Sequence, residues 1–163
     1  MVKEGTKVPA FSAEADTGGT ISSKDLKGKR FILFFYPKDL TPGCTQEACD
    51  FRDSYAKLKK QGLSVFGVSK DSVESHLKFK DKHDLPFPLI SDSDGKLCKA
   101  FGVWQEKSLY GRKFMGIVRS TFIIGPDQRI ERIYSKVKVT GHVDEVISAC
   151  RLLEGPRAQE RAR

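Results

Sequence analysis

Hydrophobic residues along this chain change their spacing several times, and each change marks an element. Phe31 to Tyr36 is apolar at every position, so both alternating faces are covered, the mark of a strand in mid-sheet. Leu63 to Val68 predicts a second strand. Ahead of them, Phe11 and the Gly18-Gly19 turn before Thr20-Ile21 predict a short, polar N-terminal hairpin. From Thr45 to about Lys60 the spacing becomes helical, with Ala48, Phe51, Tyr55 and Leu58 on one stripe and Gly62 placed to end it. Helices are then predicted over Ser72 to Lys82 and Gly95 to Phe101, with a short strand at Pro88 to Ile90. Thr121 to Ile124 and Ile130 to Tyr134 read as strands about a Pro126-Asp127 turn. Val143, Val146, Ile147, Cys150 and Leu153 form one face of a last helix. Strands alternating with helices, followed by a hairpin and a final helix, predict an α/β three-layer sandwich with a mixed central sheet.

The chain has 163 residues, without repeats, low-complexity linkers or a break in composition, so one domain is expected over 1–154. The piece after Glu154 is a basic tail, 155–163, in which Arg157, Arg161 and Arg163 outnumber Glu160, and it is expected to be disordered. No apolar run approaches the ~20 residues that cross a bilayer, and the first twenty residues hold no apolar signal segment. No membrane partner and a cytoplasmic location are therefore expected. The net charge of +8 raises nucleic acid as a partner. Acidic residues are mixed through every basic stretch, however, whereas phosphate binding gathers charge on one face. DNA binding stays a minor rival reading. The four cysteines, Cys44, Cys49, Cys98 and Cys150, include no CxxC pair, which counts against structural zinc and against a dithiol-exchange site. His76, His83 and His142 lie away from them in sequence, so nothing calls for a metal.

The chemistry gathers in the stretch from Tyr36 to Cys49. A buried strand ends at Tyr36, a loop with Pro37 and Pro42-Gly43 follows, and a helix opens at Cys44. The N–H groups of a first helical turn favour negative charge, and a cysteine placed there is a better thiolate than a free one. Ionisation alone does little. A thiol of pKa ~8.5 is about 3% ionised at neutral pH, so complete ionisation gains roughly 30-fold, about 2 kcal/mol. Most of an enzyme's acceleration has to come from groups that stabilise the transition state, such as the Thr41 hydroxyl or a distant arginine. At 100° per residue Cys44 falls on the apolar stripe, facing inward, while Cys49 lies about 140° away, toward solvent. A reduced cysteine on a wet face is unusual for packing, so Cys49 reads as a redox residue or as a tolerated surface cysteine. On an intact helix the two Cα atoms stand roughly 8–9 Å apart, beyond the ~7 Å limit for a disulfide. Coupling them requires the first turns to unwind.

These residues resemble a known family. The pattern Pro37, Thr41, Cys44 with a second cysteine at Cys49 is similar to the active-site segment of the peroxiredoxins, in particular the peroxiredoxin Q (bacterioferritin comigratory protein) subfamily. The likeness continues through Gly67-Val68-Ser69-Lys70-Asp71-Ser72, Phe87-Pro88-Leu89-Ile90-Ser91-Asp92 and Arg119-Ser120-Thr121-Phe122. The resemblance implies a thioredoxin-like fold, which the order of elements fits, and a thiol-dependent peroxidase working without cofactor, whether metal, haem or flavin. It implies that Cys44 is the peroxidatic cysteine, attacking a peroxide oxygen to become sulfenic acid. Thr41 would hydrogen-bond the peroxide, Pro37 would shield the sulfenic acid, and Arg119 would favour the thiolate and the separating oxygens. Cys49 would be the resolving cysteine, forming an intramolecular disulfide that thioredoxin or a similar dithiol protein reduces. Glu47 matches a glutamate of the subfamily. The partners implied are a peroxide substrate and the dithiol reductant, for a monomer or weak dimer.

Plainer readings stand beside these. Arg119 alone reads as a surface charge at a strand end, Thr41 as a turn or helix cap, and Pro37 as a strand terminator. Tyr36 and Phe51 read as core or pocket wall, Cys98 and Cys150 as inert packing, and Trp104 as half-buried near the site. The rival enzyme, a general thiol–disulfide oxidoreductase, lacks its CxxC pair and gives Thr41 and Arg119 no task.

Overall fold

The side chains of β3 (Arg30–Phe35) are buried at every position. Ile32 and Phe34 join one hydrophobic cluster, and Phe31, Leu33 and Phe35 join another. Such a strand needs cover on both faces, and the fold supplies it. The computed structural model describes residues 2–161, with 154–161 described as helix backbone only. Around β3 lie β1 (Ser12–Ala15), β2 (Thr20–Ser22), β4 (Leu63–Ser69), β5 (Leu89–Ser91), β8 (Ser120–Ile124) and β9 (Ile130–Ser135). They form a seven-stranded sheet in the order β2-β1-β5-β4-β3-β8-β9. β3, β4 and β5 run parallel, whereas β1, β2, β8 and β9 join antiparallel, so the sheet is mixed.

One face is covered by α1 (Pro42–Lys60), α2 (Val73–His83) and α4 (His142–Arg161), through Phe51, Leu58, Phe79, Val143, Val146 and Ile147. The Phe51 ring stacks on Phe34 at 4.6 Å and pins α1 to the middle of the sheet. The other face is covered by α3 (Lys96–Phe101) through Leu97, Cys98 and Phe101. The three-layer α/β sandwich and its N-terminal hairpin are as the sequence predicts.

Two differences bear on the site. Helix α1 starts at Pro42, ahead of the expected Thr45, with Thr41 as an extended N-cap at φ −89°, ψ 152°. Pro42 at the first helical position needs no N–H partner and has its φ preset, so it opens the helix instead of delaying it. The second difference is a hairpin with no counterpart in the sequence reading, β6 (Trp104–Leu109) and β7 (Arg112–Ile117). Its turn is Tyr110-Gly111, both at positive φ (51° and 78°), a geometry that matches the twist of paired strands. Both strands are largely solvated, so they carry no alternating apolar signal. Helix α4 continues to Arg161, into the stretch expected as a disordered tail; the side chains there and residues 162–163 lie outside the described residues.

Candidate active site

The strand β3 delivers the chain to a buried Tyr36, and the loop from Pro37 to Thr41 turns it into α1. Pro37 and Thr41 are half-buried while Lys38 and Leu40 are exposed. The Thr41 hydroxyl donates to the Lys38 carbonyl at 2.8 Å, which sets its rotamer and leaves its oxygen able to accept. Its carbonyl takes the Thr45 N–H at 2.8 Å. Cys44 is thus the third residue of the helix, inside the turn whose N–H groups have no carbonyl within the helix. It points inward, as the helical arithmetic predicts, and is 1% exposed.

Arg119 lies in the short link between β7 and β8, directly before the strand that pairs with β3 through Phe35 and Ser120. Its carbonyl accepts the Val137 N–H at 3.0 Å, and its neighbour Val118 donates to the Val103 carbonyl at 2.8 Å. Held by these bonds, the guanidinium donates through Nη2 to Cys44 Sγ at 3.3 Å and through Nη1 to Glu47 Oε1 at 2.9 Å. It gets this close because residue 43 is glycine: a Cβ there would stand 3.2 Å from Nη2. Burial works against the Arg119 cation, but the charges of Glu47 and Cys44 outweigh it and hold its pKa above the ordinary value. Glu47 has the reverse balance. It is wholly buried, its Oε2 has no hydrogen-bond partner, and burial against the pull of Arg119 raises its pKa to about 7.

The family model described as the AhpC/TSA family matches residues 5–133. The chain belongs to the AhpC/TSA family. Among its relatives, the putative peroxiredoxin Bcp of Coxiella burnetii is 50% identical over 146 residues, 90% of this chain and 97% of that protein. Peroxiredoxin Bcp of Bacillus subtilis is 48% identical over 146 residues, 90% of this chain and 93% of that one. A solved structure of a cysteine-to-serine mutant of Xylella fastidiosa PrxQ superposes with a TM-score of 0.88 at 37% identity, covering 93% of this chain and 97% of that one. The chain is therefore a peroxiredoxin, a thiol-dependent peroxidase of thioredoxin fold that acts on peroxide and draws on a thiol reductant.

In this peroxiredoxin none of the four cysteines is in a disulfide. Cys49 is half-buried rather than fully on the wet face. Burial, with Asp53 and Asp50 close by, raises its pKa against the pull of Arg52, which favours the thiol form. Cys98 and Cys150 are buried in the two cores, as expected for packing; burial and the Asp92 carboxylate raise the Cys98 thiol strongly. Trp104 is half-buried as expected, with Lys70 Nζ 4.3 Å above its ring.

Sequence reasoning missed a charge beside the arginine. Lys107 on β6 donates to the Ile117 carbonyl at 2.7 Å, and its pKa is lowered by burial and by the positive charge of Arg119, against the pull of Cys44. The hairpin therefore brings a second cation beside the arginine. A Tyr-Gly pair between polar stretches was the only signal for that hairpin. No helix among the described residues is long and apolar enough to cross a membrane.

Proposed function

We propose that this peroxiredoxin reduces hydrogen peroxide and organic hydroperoxides through Cys44. The observation that carries the reading is the single guanidinium of Arg119 bridging Cys44 Sγ and Glu47. The Cys44 thiolate attacks the terminal peroxide oxygen, the O–O bond breaks, and the leaving oxygen takes a proton, giving Cys44 sulfenic acid and water or an alcohol. Charge moves from sulfur to the departing oxygen, and a fixed cation beside both stabilises that transfer more than it stabilises the resting site. The Thr41 oxygen accepts from the peroxide O–H, and Pro37 borders the sulfenic acid on the loop side.

Cys49 is the resolving cysteine. Its thiol attacks the Cys44 sulfenic acid, a disulfide forms and water leaves. Because helix geometry holds the pair roughly 8–9 Å apart at Cα, the first turns of α1 unwind for this step. Thioredoxin or a similar dithiol then exchanges with the disulfide, restoring both thiols and becoming oxidised itself. The domain spans 1–154, acts as a monomer or weak dimer in the cytoplasm, and carries a basic tail over 155–163.

Mass spectrometry after one equivalent of peroxide tests the reading. The expected product is a Cys44–Cys49 disulfide, with Cys49→Ser stopping at sulfenic acid on Cys44 and Cys44→Ser consuming no peroxide. Oxidation that survives Cys44→Ser points to another nucleophile and refutes it. A Cys44–Cys49 disulfide that forms by exchange with a disulfide donor, itself reduced to the dithiol, but not with peroxide marks a thiol–disulfide oxidoreductase instead.

A further inference from the structure

Asp39 sits in the loop between Pro37 and Thr41 and is buried, although Lys38 and Leu40 on either side are exposed. Its Oδ1 accepts the Tyr36 hydroxyl at 2.6 Å, and its Oδ2 accepts the Ser75 hydroxyl at 2.8 Å. The same Oδ2 lies 2.7 Å from Nδ1 of His76. The Asp39 N–H donates to Asp71 Oδ2 at 2.9 Å, which also takes the Ser69 hydroxyl at 2.6 Å. His76, on α2, is fully buried, and its Nε2 lies 2.9 Å from the Ile90 carbonyl of β5.

These contacts fix the protons. A carbonyl only accepts, so Nε2 carries a hydrogen; Nδ1, facing a carboxylate, carries the other. In the state proposed below, His76 is an imidazolium. The groups that face it are Asp39 from the loop, Asp71 from the turn after β4, Tyr36 from the end of β3 and the Ile90 carbonyl from β5. Burial opposes its charge, but Asp39, the Ile90 carbonyl and Asp71 together raise its pKa above the ordinary 6.5. Asp39, Asp71 and His76 bring ligand atoms within 4.8 Å of one another, as a metal site would. Both oxygens of Asp39, both nitrogens of His76 and Oδ2 of Asp71 are already hydrogen-bonded, and the cation of the cluster is His76 itself.

We propose that Asp39 and His76 are positioning residues for the peroxide step, a buried carboxylate–imidazolium pair that clamps the loop from Pro37 to Thr41 onto α2 and β5. The inference rests on the reading of Thr41 and Cys44 given above. Leu40, next to Asp39, holds φ at 63°, a left-handed conformation that a leucine keeps only where its surroundings enforce it. Thr41 and the start of α1 follow directly, so a loop that relaxes at Asp39 moves the hydroxyl and the helix turn around Cys44. None of these bonds reaches α1, so the clamp stays closed while the helix unwinds for the disulfide.

The clamp has a pH signature. The histidine pKa is raised on folding, so the pair is whole at low pH and is lost as pH rises through the folded value. Deprotonation leaves an imidazole lone pair facing the Asp39 carboxylate. The peroxide rate should then fall at alkaline pH, where thiolate formation alone gives a plateau.

The test joins stopped-flow peroxide rates of the reduced protein between pH 6 and 10 with nitrogen NMR of the His76 ring. The expected result is a doubly protonated ring at pH 7 and a wild-type rate that falls as the ring titrates. His76→Gln and Asp39→Asn should slow the peroxide step by at least roughly ten-fold, abolish the alkaline fall, and leave reduction of the disulfide by a dithiol unchanged. A neutral His76 at pH 7, or folded variants with wild-type rate and pH profile, overturns the proposal. If neither variant folds, the wild-type ring titration against its own rate profile decides, and mismatched midpoints refute. Thr41→Val separates the layers: if it leaves the rate intact the reading of the site fails, whereas a slow Thr41→Val beside an unchanged His76→Gln refutes the clamp alone.

Discussion

Glu47→Gln isolates the most strained charge in the site. The wild-type carboxyl is wholly buried, bonded to Arg119 through one oxygen and unpartnered at the other. Its pKa near 7 in place of 4.5 amounts to roughly 3 kcal/mol in favour of the protonated form. The acid is raised, so the folded state binds the proton more tightly than the unfolded chain. Stability from this group is therefore fully present below about pH 4.5 and is lost as pH rises through 7. Glutamine keeps an oxygen for Arg119 and cannot ionise, so that dependence disappears. The absolute stability of the variant also includes an amide N–H without an acceptor, which costs about 1–3 kcal/mol; the pH trend is free of that offset. Urea unfolding of both reduced proteins from pH 4 to pH 8 is the assay. The stability difference should move by roughly 2–3 kcal/mol toward Glu47→Gln over that range. A difference that stays flat with pH refutes the account of Glu47 as a buried acid titrating near neutrality.

Arg119→Ala should slow the peroxide reaction by roughly 10²-fold or more, the order for losing one charge-stabilising donor; a loss of a few-fold in stopped-flow would make Arg119 structural. Gly43→Ala places a Cβ 3.2 Å from Arg119 Nη2, so the guanidinium has to retreat by a few tenths of an ångström. The expected result is a several-fold slower peroxide step at unchanged melting temperature, and an unchanged rate would show that the close approach is not needed. In amide hydrogen exchange, residues 45–50 should lose protection on oxidation while Phe51 to Leu58 lose much less; equal protection in both redox states would pass the resolving role to another thiol.

The layers, the sheet's central strands and the inward turn of Cys44 were all readable, because each depends on spacing within one segment. Phe31 to Tyr36 announces its place by having no polar face, and the stripe from Ala48 to Leu58 orients the cysteine three residues into its helix. What escaped depends on partners distant in sequence. Arg119 is 75 residues from the sulfur it bonds, and no local pattern tells a guanidinium folded inward from one in water; only the family resemblance pointed to it. Glu47 is polar beside an apolar stripe, so its burial follows only once Arg119 is known to stand opposite. The β6–β7 hairpin escaped because neither strand has a buried face. Asp39 and His76 escaped because their bond joins a loop to α2 across 37 residues.

The two halves of the reaction place opposite demands on α1, and the distribution of side chains along it reconciles them. In the proposed mechanism, attack on peroxide needs Cys44 fixed against Arg119, and disulfide formation needs the same turn to come apart. In the first two turns only Cys44, Glu47 and Ala48 are buried, and none brings much apolar surface. Beyond them Phe51 stacks on Phe34, and a buried aromatic contact of that size is worth several times more than Ala48. The helix is therefore weak up to residue 50 and firm from 51 onward, with the boundary just past Cys49. Glu47 adds a term that burial alone would not. While the helix is wound, its carboxyl is held out of water with one oxygen unpartnered; once unwound, it ionises freely. At neutral pH and above, the charge that bonds Arg119 also favours opening of the turn, the opening that the proposed Cys44–Cys49 disulfide requires.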